Sequence, residues 1–142
     1  MWTLGEVRRI WAFAKDFSES IERDHGVIVL EFENGAIAHI EATWAYPAYA
    51  PFRTSAEVVG TRGRVIFDSE LFKPFALFKE EAFIGDSPLS LTPWGKALEA
   101  FLVAVERDEE VPVTVEDGLR AVRMSLLAIE SARSGEAKVV KA

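Results

Sequence analysis

From His25 to Trp44 the chain reads HGVIVLEFENGAIAHIEATW, two apolar and partly alternating runs joined at Asn34-Gly35. Asn-Gly between such runs is a strong hairpin signal, because these residues tolerate the positive φ that a tight reversal needs. A turn of two residues would pair Glu33 with Ala36, Leu30 with His39, Ile28 with Glu41 and Val27 with Ala42. In that register one face carries Val27, Val29, Ala38, Ile40, Ala42 and Trp44. The other carries Ile28, Leu30, Phe32 and Ile37 with His39, Glu41 and Thr43. Neither face suits water, whereas an antiparallel sheet with one solvated face alternates cleanly. The pattern therefore predicts helices over one face and a second covering, such as another subunit, over the other.

The remaining segments are read by their periods. Glu6 to Phe13 predicts a first strand anchored by Val7, Ile10 and Trp11, and the acidic stretch Asp16 to Asp24 a solvated loop. After the hairpin, WAYPAYAPF places Tyr46, Tyr49 and Phe52 around Pro47 and Pro51, which prevent regular pairing. Thr54–Gly60 and Arg64–Asp68 predict two strands about the turn Gly60-Thr61-Arg62-Gly63, Leu71–Phe78 an edge strand broken by Pro74, and Glu80–Thr92 an irregular segment. The period then changes to that of a helix: Thr92 as N-cap, Pro93 at the first helical position, and Trp94, Ala97, Leu98, Phe101, Leu102 and Val105 in a stripe. Its acidic end, Glu106 to Glu110, opposes the helix dipole and predicts fraying.

A second helix is predicted from Val115 to about Ser134, opened by Thr114 with Asp117 as a capping box and closed by Gly135. Leu119, Val122, Leu126 and Ile129 form one stripe, with the small residues Ala121, Ser125, Ala128 and Ala132 beside it. Ala137 to Val140 can return as a short strand. The fold class is α+β: an open, mostly antiparallel or mixed sheet of about five to six strands, two long helices on one face, and the other face available for oligomerisation. Residues 1–142 are read as a single domain.

Composition narrows the function. A net charge of −7 lacks the basic footprint that nucleic acid or an anionic membrane requires. The chain has no cysteine, which removes disulfides, thiol catalysis and Cys-ligated zinc and agrees with a cytoplasmic protein. No apolar run reaches the ~18 residues of a membrane helix. Candidate chemistry is thin. His39 and Glu41 share a face and could form an acid/base pair, but mid-strand in an apolar setting a structural role outweighs it. His25 is too distant from His39 for one metal site, and no metal-ligand spacing is present. Gly60-Thr61-Arg62-Gly63 precedes a strand, not the helix that a phosphate cradle needs. No G-x-G-x-x-G occurs, so the chain has no dinucleotide fingerprint of its own.

Four segments in order, Asp24 to Trp44 with FENGAIAHIEATW, Glu57 to Gly63 (EVVGTRG), Pro112-Val113-Thr114 with Glu116-Asp117-Gly118-Leu119, and Glu130-Ser131-Ala132 with Ser134-Gly135, cover nearly the whole chain. Together they resemble the C-terminal domain of the Gfo/Idh/MocA oxidoreductases, the glucose-fructose oxidoreductase and inositol dehydrogenase group. The resemblance implies a substrate-side and oligomerisation domain, with NAD or NADP bound by an N-terminal Rossmann domain of the full-length enzyme. The family's dinucleotide loop, its Glu-Lys-Pro motif and its Asp-x-x-x-His segment lie upstream of the matching region. Hence no catalytic residue, no bound cofactor and no metal are expected in this chain. The resemblance also implies substrate contact from the loop after the hairpin, through Tyr46, Tyr49 and Arg53. It implies a homodimer or higher homo-oligomer through the open sheet face, Ile28, Leu30, Phe32, Ile37, His39 and Glu41, with a Rossmann half as a further partner. The other reading is a free-standing dimerising or small-ligand-binding module derived from such an enzyme.

Overall fold

The computed structural model describes residues 4–17, 24–45, 53–69, 75–78, 82–85 and 93–141. In chain order the elements are β1 (Val7–Lys15), β2 (His25–Phe32), β3 (Ile37–Thr43), β4 (Ser55–Gly60), β5 (Gly63–Asp68), β6 (Phe75–Phe78), β7 (Ala82–Gly85), α1 (Pro93–Arg107), α2 (Val115–Ser134) and β8 (Lys138–Val139). They divide into two compact units, residues 1–48 with 113–142, and residues 49–112. The α+β class, the antiparallel pairing and the two long helices are as the sequence predicts.

In the first unit the strands run β3-β2-β1-β8, all antiparallel. Helix α2 covers one face. Val7, Ile10, Ala12, Phe32 and Ala128 are buried there, with Ile28, Leu30, Ala38, Met124, Leu127 and Ala132 packed around them. Full burial of a side chain such as Ile10 or Phe32 stabilises the fold by roughly 1.5–3 kcal/mol. Val7 and Ile10 are three apart, a spacing that a regular strand would place on opposite faces. A shift of register between Val7 and Arg9 brings both inward. The same bulge aims Arg8 and Arg9 at one carboxylate, Glu31. Trp11, read from sequence with them as an apolar anchor of the strand, lies on the other face.

The hairpin register differs by one residue from the expectation. Leu30 pairs with Ala38, Ile28 with Ile40 and Val27 with Glu41. The loop closes over Glu33, Asn34 and Gly35: Gly35 N–H donates to Phe32 O (3.0 Å), Phe32 N–H to Ala36 O (2.9 Å), and Gly35 has φ 84°. This is a type I turn followed by a left-handed glycine, the usual three-residue alternative to a two-residue reversal. Asn34 selects it by accepting from Ala36 N–H (3.0 Å) and donating to Leu4 O (2.9 Å). A slip of one exchanges which residues share a face. Ile28, Leu30 and Phe32 therefore lie on the helix-covered side, apart from Ile37, His39 and Glu41 on the other.

Helix α2 begins and ends where the sequence predicts. Asp117 N–H donates to Thr114 Oγ1 (3.2 Å), Thr114 N–H donates to Asp117 Oδ2 (3.0 Å), and Gly135 takes the left-handed cap at φ 72°. Thr114→Ala should lower stability by about 1 kcal/mol, read as an earlier thermal midpoint with an unchanged native spectrum. The side of α2 that meets the sheet carries Met124, Leu127, Ala128, Ser131 and Ala132, so the larger stripe of Leu119, Val122, Leu126 and Ile129 points outward. Ser131 is fully buried: its Oγ accepts from Ala12 N–H (3.0 Å) and donates to Glu136 O (2.7 Å).

In the second unit β4, β5, β6 and β7 form an antiparallel meander. Strand β7 corrects the irregular reading of Glu80–Thr92; its three apolar residues before Gly85 give too short a period to stand out, and pairing with β6 supplies the order. Gly60 pairs with Gly63 across Thr61-Arg62, a hairpin turn as predicted. In α1, Ala104 is buried while Leu98, Phe101, Leu102 and Val105 are exposed. At its end Asp108 adopts φ 54° and Glu109 N–H donates to Ala104 O (2.9 Å), closing the last turn. The expected N-cap, Thr92, lies outside the described residues.

Candidate functional site

The face of the first sheet opposite α2, uncovered among the described residues, is built by alternation along four strands. Strand β1 contributes Arg9, Trp11, Phe13 and Lys15, which pair with Glu31, Val29, Val27 and His25 of β2. Strand β3 adds Ile37, His39, Glu41 and Thr43 opposite those β2 residues, and β8 adds Val139 opposite Arg9. The apolar residues are open to solvent: in the middle rows Trp11 is 45% exposed and Phe13 54%, and Ile37, at 74%, and Val139, at 61%, flank the Arg9–Glu31 pair. Trp11 and Phe13 lean together with ring centroids 5.0 Å apart.

Charges lie toward the ends of this face. At one end Arg9 Nε donates to Glu31 Oε2 (2.6 Å), and Arg8 Nη1 stands 3.5 Å from the other oxygen. That hydrogen bond, against a small desolvation and with the arginine charges assisting, holds the Glu31 carboxyl below the usual range, and Arg9 is raised in turn. At the other end His25 Nε2 lies 3.8 Å from Glu41 Oε1, the Phe17 ring meets His25 edge-on at 5.5 Å, and Lys15 Nζ is 6.0 Å from the Phe17 centroid. Asp24, only 1% exposed, fixes this corner by accepting from Phe17 N–H (2.9 Å), while its carbonyl accepts from Trp44 N–H (2.6 Å).

Of the six residues expected at an open face, Ile37, His39 and Glu41 are there, whereas Ile28, Leu30 and Phe32 pack beneath α2. The face gains Trp11, Phe13, Val27, Val29 and Val139. Its aromatic pair is legible as alternation in RRIWAFAK once the bulge is allowed for. Tyr46 and Tyr49 lie outside the described residues. Arg53 belongs to the second unit and grips Asp68, Nη2 to Oδ2 at 2.5 Å and Nε to Oδ1 at 3.3 Å, with the carboxylate mostly buried. A bidentate pair of this kind fixes the guanidinium plane. His39 and Glu41 do share a face, but the contact Glu41 makes is with His25. Among the described residues no group of His, Asp or Glu could hold a metal ion, and no helix is long and apolar enough to cross a membrane.

A family model described as the GFO/IDH/MocA C-terminal domain matches residues 1–66. Solved structures agree over nearly the whole chain. An oxidoreductase from Agrobacterium radiobacter, in complex with NAD+, L-tartaric acid and magnesium, superposes with a TM-score of 0.80 at 19% identity, covering 97% of this chain and 44% of that one. The fold is that of the Gfo/Idh/MocA C-terminal domain. The WlbA dehydrogenase of Bordetella pertussis, in complex with NADH and UDP-GlcNAcA, gives 0.76 at 19% identity, covering 99% and 42%. Levoglucosan dehydrogenase, in complex with NADH and levoglucosan, gives 0.78 at 18% identity, covering 96% and 46%. The chain thus spans under half the length of these Gfo/Idh/MocA-type structures. A search of curated proteins finds no match. FENGAIAHIEATW and EVVGTRG fall within residues 1–66, while the Pro112–Leu119 and Glu130–Gly135 motifs lie beyond the family match.

Proposed function

We propose that this chain is the substrate-side and oligomerisation domain of an NAD(P)-dependent sugar or polyol oxidoreductase, and that it neither binds the nicotinamide cofactor nor transfers hydride by itself. The observation that carries this reading is the uncovered apolar face of the first sheet on a Gfo/Idh/MocA C-terminal fold. A contiguous exposed apolar surface with a polar rim is the anatomy of a protein interface. Its occupant is a second copy. The face carries both signs, Arg8, Arg9 and Lys15 with Glu31 and Glu41, so two copies can meet with opposite charges opposed.

Substrate contact is assigned to Tyr46 and Tyr49, with Arg53 as the donor oriented by Asp68. The nucleotide, NAD or NADP, belongs to a Rossmann half in the full-length enzyme, which is the chain's second partner. Sedimentation of the chain should show a homodimer or higher homo-oligomer. Titration with NADH, followed by its fluorescence, should show no binding tighter than about millimolar, in keeping with the missing dinucleotide loop. A monomer at all accessible concentrations would remove the oligomerisation role, and micromolar NADH binding would remove the division of labour.

A further inference from the structure

We propose that His39 makes self-association through the open sheet face labile to mild acid, so that this interface opens on acidification. The inference rests on the reading of that face as a contact between two copies. His39 lies in the middle of β3, between Ile37 and Glu41 on its own strand and opposite Val29 on β2, with Val27 and Glu31 at the diagonal positions. Beyond these, β1 contributes Arg9 and Lys15 to the same face, with Trp11 and Phe13 between them. His25 lies at the far end, paired with Thr43 in register and with Glu41 through its side chain.

The two carboxylates near enough to compensate a charged His39 are both engaged by other cations. Glu31 is held by Arg9 and Arg8, and that pairing keeps it ionised well into mild acid. Glu41 faces His25, whose Nε2 lies 3.8 Å from its Oε1. In the free chain His39 is exposed, and water solvates its imidazolium at little cost. Once a second copy covers the face, the neutral ring packs beside Ile37 and Val29, but the charged ring is desolvated without a dedicated partner. The fixed charges that reach the face, Arg8, Arg9 and Lys15 against Glu31 and Glu41, leave no negative charge in excess, so each protonated histidine adds uncompensated positive charge to both copies across the contact. Histidine is the side chain whose ordinary titration spans pH 5 to 8. Association that favours the neutral ring is therefore complete at the alkaline side of that range and is lost as the pH falls through it.

The test is sedimentation velocity on the whole chain at about pH 7.5 and about pH 5.5, with circular dichroism at both to confirm that the fold persists. For the native sequence the dissociation constant should rise at least about tenfold on acidification. In His39→Gln the ratio of the two constants should fall to near one, whatever its value at neutral pH. His25→Gln should retain an acid response. An acid-insensitive dimer overturns the switch and leaves self-association standing, and an equal acid response in His39→Gln overturns the assignment to His39. A chain that is monomeric at both values overturns the self-association reading, and the switch with it.

Discussion

Ile37→Glu should yield a folded monomer, whereas Leu30→Glu should be strongly destabilised. The sequence pattern groups both residues on one face, and the observed register separates them. Ile37 is largely exposed on the open face, so in the free chain a glutamate there stays in water and costs little. In a dimer it would be buried against apolar groups without a partner, a penalty of about 3–5 kcal/mol and enough to weaken association a hundredfold or more. Leu30 packs with Ile10, Phe32 and Ala128 beneath α2. A carboxylate there loses the apolar contacts and must stay neutral or break the helix away, which removes about 3 kcal/mol or more from a total near 5–15 kcal/mol. Sedimentation reads the first variant and urea unfolding the second. A well-folded, monomeric Leu30→Glu would instead place Leu30 on the open face and overturn its pairing with Ala38.

Ser131→Ala should destabilise the first unit by about 1–3 kcal/mol, despite removing a single oxygen. That oxygen serves two groups. It accepts Ala12 N–H, just past the end of the β1–β8 pairing, and it donates to Glu136 O in the turn that carries the chain from α2 to β8. Both partners lose their bond together, and the site is fully buried, so water cannot replace it. Thermal unfolding should show a drop of several degrees. Ser131→Thr keeps the hydroxyl but adds a methyl where α2 meets β1, so only partial recovery is expected.

Helix α2 was legible from end to end because its signals are local. Thr114, Asp117 and Gly135 act within a turn of themselves, and no distant residue needs to be known. The hairpin was legible as a hairpin but not in register, since Asn34 chooses the loop through Leu4, thirty residues away in sequence. The side of α2 that packs was misleading for another reason. A helix lying flat on a sheet brings its smaller residues, Ala128 and Ser131, closest, and the larger Leu119 and Leu126 are left outside. As for the candidate site, His39, Glu41 and Ile37 were found by alternation, but Trp11 and Phe13 were hidden by the bulge at Arg8, which offsets everything after it. Arg53 could be named from the resemblance, yet its grip on Asp68 depends on two strands meeting and leaves no local trace.

The short strand β8 and the Ser131 hydroxyl together occupy the outer edge of β1 from Arg8 to Ala12, through Val140 N–H to Arg8 O, the pairs at Arg9 and Ile10, and the bond to Ala12 N–H. An exposed strand edge is a template on which further chains can add. In the first sheet β8 takes the edge beyond β1, and a strand of only two residues offers too short a template to seed further pairing.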